Sequence, residues 1–102
     1  MFDRVIVGGG IHGTLLQLAL LRQGSKPPMV IDSEARPLAA WMRNTAACGV
    51  EYLRSSSSHS LELDFHALRR FAREGGYGRE HFIPPYLRPS LRLFNDHCDH
   101  LI

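Results

Sequence analysis

Asp3 and Arg4 give way to Val5-Ile6-Val7, an unbroken apolar run that stops at Gly8-Gly9-Gly10. Such a run predicts a short strand over 2–7, buried on both faces as in a parallel sheet. Residues 11–23 then carry Ile11, Leu15, Leu16, Leu18, Ala19, Leu20 and Leu21, and Gly24 follows them. That pattern predicts a strongly apolar helix with a glycine stop. Ser25-Lys26-Pro27-Pro28 reads as a turn, and Met29-Val30-Ile31-Asp32 as a second strand ending on an acid. Strand, helix and strand in this order predict a right-handed parallel unit.

Beyond Asp32 the pattern loosens. Pro37 suits the first turn of a short helix through Trp41 and Arg43. Residues 49–54 suggest an extended segment, and Ser55–Ser58 a loop. Phe65, Leu68, Phe71 and Ala72 recur at helical spacing ahead of Gly75-Gly76. They predict an amphipathic helix over 65–74 that buries Phe65, Leu68 and Phe71 and leaves Arg69, Arg70 and Arg73 in solvent. Glycines and prolines through 75–89 predict a long ordered loop. From Ser90 onward, Leu91, Phe94, Cys98 and Leu101 fall on one helical face. The expected class is α/β, a partial Rossmann-like domain: a parallel βαβ start followed by helices and long loops. A nucleotide-binding half has at least a third parallel strand. The 102 residues therefore read as the N-terminal portion of a longer enzyme.

Composition narrows the partners. At 44% hydrophobic and 22% charged, the chain is ordinary for a globular domain. A net charge of +2, with its basic residues dispersed, argues against nucleic acid. No stretch approaches the ~18–20 apolar residues that span a membrane, and the N-terminus has no secretory pattern. A cytoplasmic protein is expected, with no membrane partner. Cys48 and Cys98 form no CxxC and read as free thiols.

The chemistry concentrates in Gly8-x-Gly10-x-x-Gly13, placed after a predicted strand and at the start of a predicted helix. The first glycine permits the tight turn, the second lets backbone approach a pyrophosphate, and the third lets helix pack on strand. The helix N-terminus offers N–H groups and partial positive charge to phosphates. Asp32 lies about 20 residues further on, where an acid accepts hydrogen bonds from ribose hydroxyls. Its charge opposes a 2′-phosphate there. FAD and NAD both use this spacing.

Other clusters carry less. His97 and His100 stand three apart on a predicted helix, but a closed zinc site takes four ligands and no second pair is in sight, so no metal is expected. Ser55–Ser58 lacks a nucleophile-elbow pattern.

Val5-Ile6-Val7-Gly8-Gly9-Gly10-Ile11-His12-Gly13-Thr14 resembles the opening of FAD-dependent oxidoreductases that carry a second, NAD(P)-binding domain. Tyr52-Leu53-Arg54-Ser55 with His59, and Pro84-Pro85-Tyr86-Leu87-Arg88-Pro89-Ser90-Leu91 with Phe94-Asn95, resemble a bacterial group of FAD/NAD(P)-binding proteins. That group is related to the lysine and ornithine N-monooxygenases and, more distantly, to flavin-containing monooxygenases. The resemblance implies FAD, with NADPH as reductant and a small-molecule substrate such as an amine. It implies that Gly8, Gly10, Ile11, His12 and Gly13 face the pyrophosphate, and that Asp32, with Ser33 beside it, binds the adenosine ribose. It implies Trp41 near the flavin, although such a tryptophan also suits a core. It places Arg54 in a segment passing the isoalloxazine, where the monooxygenases carry an uncharged amide. Two alternatives stand beside this reading. One is an NAD-dependent dehydrogenase. The other is a non-catalytic dinucleotide-binding module, associating with itself or a partner through an open sheet edge.

Overall fold

The computed structural model describes residues 4–102. Residues 2 and 3, expected at the start of the first strand, lie outside the described residues. The chain divides into two compact units, Met1–Cys48 and Gly49–Ile102. It is a small mixed α/β structure.

In the first unit, β1 (Val5–Val7) leads through the glycines into α1 (Ile11–Arg22), and β2 (Met29–Ile31) returns parallel to β1. Val5 pairs with Met29, Ile6 with Val30 and Val7 with Ile31. Both strands, the helix and its terminal glycine fall where their patterns predict. Gly24 takes φ +77°, and the Ser25 N–H donates to the Leu20 carbonyl at 3.1 Å, so the chain leaves α1 through a left-handed turn.

The strands are not buried on both faces, as the unbroken apolar runs predicted. Ile6 faces α1 and is buried, whereas Val5, Val7, Met29 and Ile31 remain 55%, 81%, 40% and 52% exposed. Their side chains alternate away from Ile6 by the two-residue period of a strand, and no described element covers that side. Among the described residues no third strand joins the pair.

The helix expected at 37–43 begins later and runs further, as α2 (Ala39–Cys48). Leu38 precedes it, buried, with φ +63°. Gly49, at φ +66°, follows it.

The second unit holds α3 (Ala67–Glu74), a 3-10 turn (Arg79–His81), the strands β3 (Phe82–Ile83) and β4 (Arg88–Pro89), and α4 (Leu91–Leu101). The predicted loop at 75–89 thus contains an antiparallel hairpin, with Phe82 opposite Pro89 and Ile83 opposite Arg88. The segment expected to be extended at 49–54 pairs beside it. The Leu53 N–H donates to the Pro89 carbonyl at 2.9 Å, and the Leu91 N–H to the Glu51 carbonyl at 2.8 Å.

The core of this unit gathers Leu53, Leu61, Leu68, Ala72, Leu93 and Phe94. Phe65 is not in it. α3 starts two residues later, and Phe65 is 68% exposed. The buried stripe of α4 is Leu93, Phe94, His97 and Cys98, with Leu91 and Leu101 only half-buried. Among the described residues no helix is long and apolar enough to cross a membrane.

Candidate functional site

The glycine loop is shaped by what its missing side chains admit. Gly8 takes φ +101°, a conformation that side chains resist, and its N–H donates to the Ile31 carbonyl at 2.6 Å. That bond extends the parallel pairing by one step beyond Val7 and starts the turn. At Gly13 a Cβ would overlap the Gly8 carbonyl oxygen and sit 3.4 Å from Ile6 Cγ2. The third glycine is therefore the contact at which α1 rests on β1.

Gly10 differs. A Cβ there would meet nothing within 4 Å, and the residue is exposed. Gly10 is also the N-cap of α1, in an extended conformation with no capping side chain, and the first turn of the helix carries no acid. The N–H groups of the first helical turn have no intrahelical partner. They stand at the positive end of a 12-residue helix. The loop carbonyls are occupied inward instead. The Gly9 carbonyl accepts from the Leu38 N–H at 2.8 Å and from Thr14 Oγ1 at 3.1 Å, and the Gly10 carbonyl accepts from the Thr14 N–H at 2.9 Å. Acceptors turn in and donors stay at the surface, the polarity an anion requires.

Asp32 follows β2 directly. Its carboxylate lies against buried Gly9, in the space a Cβ at that position would fill. The fingerprint assigns no role to this middle glycine; the run of three glycines was the signal for it. Beside the carboxylate a cleft of about 220 Å³ is lined by Gly9, Gln17, Asp32, Glu34 and Arg36, among others. Sequence reasoning missed Gln17, Glu34 and Arg36. The Arg43 guanidinium donates to Glu34 at 2.7 Å, across from α2. The hydrogen bond from Arg43, and then its charge, hold the Glu34 carboxyl below the usual range and raise the guanidinium in return.

Gly8, Gly10, Gly13 and Asp32 are thus brought together in the first unit. Ile11 and His12 open α1, half-buried and exposed respectively, and Ser33 is exposed next to Asp32. Trp41 is half-buried on α2 and carries the Thr45 hydroxyl on its carbonyl at 2.8 Å. Arg54 is exposed in the second unit.

The second unit has a cleft of its own, of about 510 Å³, which sequence reasoning did not anticipate. His81 and Ser90 line it, with His81 Nδ1 and Ser90 Oγ 2.7 Å apart. The histidine cluster at the C-terminus resolves differently from a ligand set. His97 is buried, with Nε2 2.9 Å from Glu62 Oε2. Among the described residues no group of three or more His, Cys, Asp or Glu side chains is placed to hold a metal ion. No family model, no curated protein and no solved structure matches this chain.

Proposed function

We propose that the first unit begins a Rossmann-like domain and binds the ADP end of a dinucleotide, FAD in preference to NAD, in a flavin-dependent oxidoreductase of the monooxygenase type that uses NAD(P)H. One observation carries the nucleotide part of this reading. Of the three fingerprint glycines, Gly13 is filled against protein, while Gly8 and Gly10 both open onto empty space; Gly8 is bent by its own φ, and Gly10 is the N-cap beside the uncapped N–H groups of α1. A pyrophosphate needs that combination of a bare backbone and outward donors. Asp32, at the rim of the adjoining cleft, suits a ribose diol and opposes a 2′-phosphate. The preference for FAD rests on the sequence resemblance. FAD would supply the redox chemistry; the residues of this unit would hold its nucleotide end and take no part in electron transfer.

The test is a set of calorimetric titrations of the chain with ADP, FAD and NAD, repeated on Gly10→Val. Saturable binding of FAD and ADP that weakens at least about tenfold in the variant, near 1.4 kcal/mol, supports the reading. A response to NAD with none to FAD would replace it with the dehydrogenase alternative. FAD affinity unchanged by Gly10→Val would remove the loop from the site.

A further inference from the structure

The cleft of the second unit is walled by Glu51, Tyr52, Glu80, His81, Ser90 and Arg92. Three features give it a chemical preference. First, His81 is fixed. Its Nδ1 is committed to Ser90 Oγ at 2.7 Å, and Ser90 is held in turn as the N-cap of α4, accepting from the Leu93 N–H at 3.1 Å. The Tyr77 ring meets the imidazole edge-on, with centroids 5.0 Å apart. In the tautomer whose Nδ1–H donates to Ser90 Oγ, Nε2 is the ring acceptor left for exchange with a ligand.

Second, that Nε2 stands 3.9 Å from Glu80 Oε1. The separation is too long for a direct hydrogen bond. A donor group with more than one N–H can bridge two such acceptors. Third, the charge is unbalanced toward acid. Glu51 and Glu80 face the cleft, while the single guanidinium, Arg92, is shared with Asp96 at 3.9 Å on the next turn of α4. The Tyr52 hydroxyl donates to the Glu80 carbonyl at 2.6 Å. That bond anchors the backbone that carries Glu80. Val50 and Leu91 supply apolar wall.

We infer that this cleft binds a small organic cation, a primary ammonium on a short apolar body, with the ammonium bridging His81 Nε2 and the Glu80 carboxylate. The inference stands or falls independently of the nucleotide reading.

The probes are n-butylammonium, n-butanol and butyrate, which share an apolar body and differ in the head group. Ring nitrogen and carbon shifts of His81 are followed by NMR in the full chain at one fixed pH. The expected result is a saturable shift with butylammonium and none with the other two. Glu80→Gln, an exposed position that leaves the fold intact, should weaken it about fivefold. No saturable shift with butylammonium overturns the inference. So does an equal response to butyrate or butanol, or an affinity indifferent to Glu80→Gln.

Discussion

The Asp32 carboxylate occupies the space that a Cβ on Gly9 would need. The φ of Gly9 lies outside the left-handed region, so an alanine there is opposed by the carboxylate and not by its backbone. Gly9→Ala should therefore push Asp32 aside, at a cost of about 1 kcal/mol. The cost should fall by half or more in an Asp32→Ala background. Urea unfolding of the two single variants and the double variant measures the coupling. Energies that add to within about 0.5 kcal/mol would show that the two side chains do not compete.

Gly13 and Gly10 should separate folding from binding. A Cβ at Gly13 meets the Gly8 carbonyl oxygen, a backbone atom that cannot rotate away. Gly13→Ala should cost about 2 kcal/mol or more. Gly10→Ala places its methyl in open space, and should shift the urea midpoint little. It should still weaken nucleotide binding if the pyrophosphate lies where the loop opens. Equal destabilisation by the two variants would contradict the packing described for Gly13.

The first unit was legible because its signals are local. A β-branched run, three glycines and a helix stop by Gly24 all act within a few residues of where they stand, and β1, α1 and β2 fall where they predict. Burial was less legible. Val7 reads as core from its neighbours, yet its exposure depends on what covers the sheet, which the run does not encode. The hairpin at 82–89 was hidden because its strands are two residues long and set among prolines. Its pairing to residues 51–53 spans more than 30 positions. His97 shows the same limit. Apolar spacing selected Leu91 and Leu101 for the buried face of α4, whereas the helix turns Leu93 and His97 inward. The acid that makes a buried imidazole tolerable is Glu62, 35 residues away.

The two cysteines should differ sharply in reactivity. Cys48 is exposed and Cys98 buried. Burial, and then the nearby Asp99 charge, push the Cys98 thiol up to about 12. Iodoacetamide at neutral pH should label Cys48 and spare Cys98 until the chain unfolds, as read by peptide mass spectrometry. The raised value also sets a pH dependence. Stability is full below the ordinary thiol value of about 8.5. As the pH rises beyond it, the unfolded chain releases the proton while the folded chain keeps it. Stability therefore falls, by at most about 1.4 kcal/mol per pH unit, until the pH reaches about 12. Cys98→Ala should flatten that alkaline slope. Prompt labelling of Cys98 in the folded chain would contradict its burial.

His97 and Glu62 join α4 to the loop that precedes α3, and the pair is deeply placed: the side chains are 2% and 18% exposed. The Phe71 ring lies 5.0 Å from the imidazole, so the pair sits against apolar surface. A buried polar group that loses its partner keeps its desolvation cost, whereas removing both partners removes that cost. Glu62→Ala should then destabilise by about 2–3 kcal/mol. Glu62→Gln, which retains a hydrogen-bonding group at the same reach, should cost less. Combining Glu62→Ala with His97→Phe should cost clearly less than the sum of the two single changes. Urea midpoints for the four variants decide it. Strict additivity, or a loss below about 0.5 kcal/mol for Glu62→Ala, would mean that this pair does not hold the loop to α4.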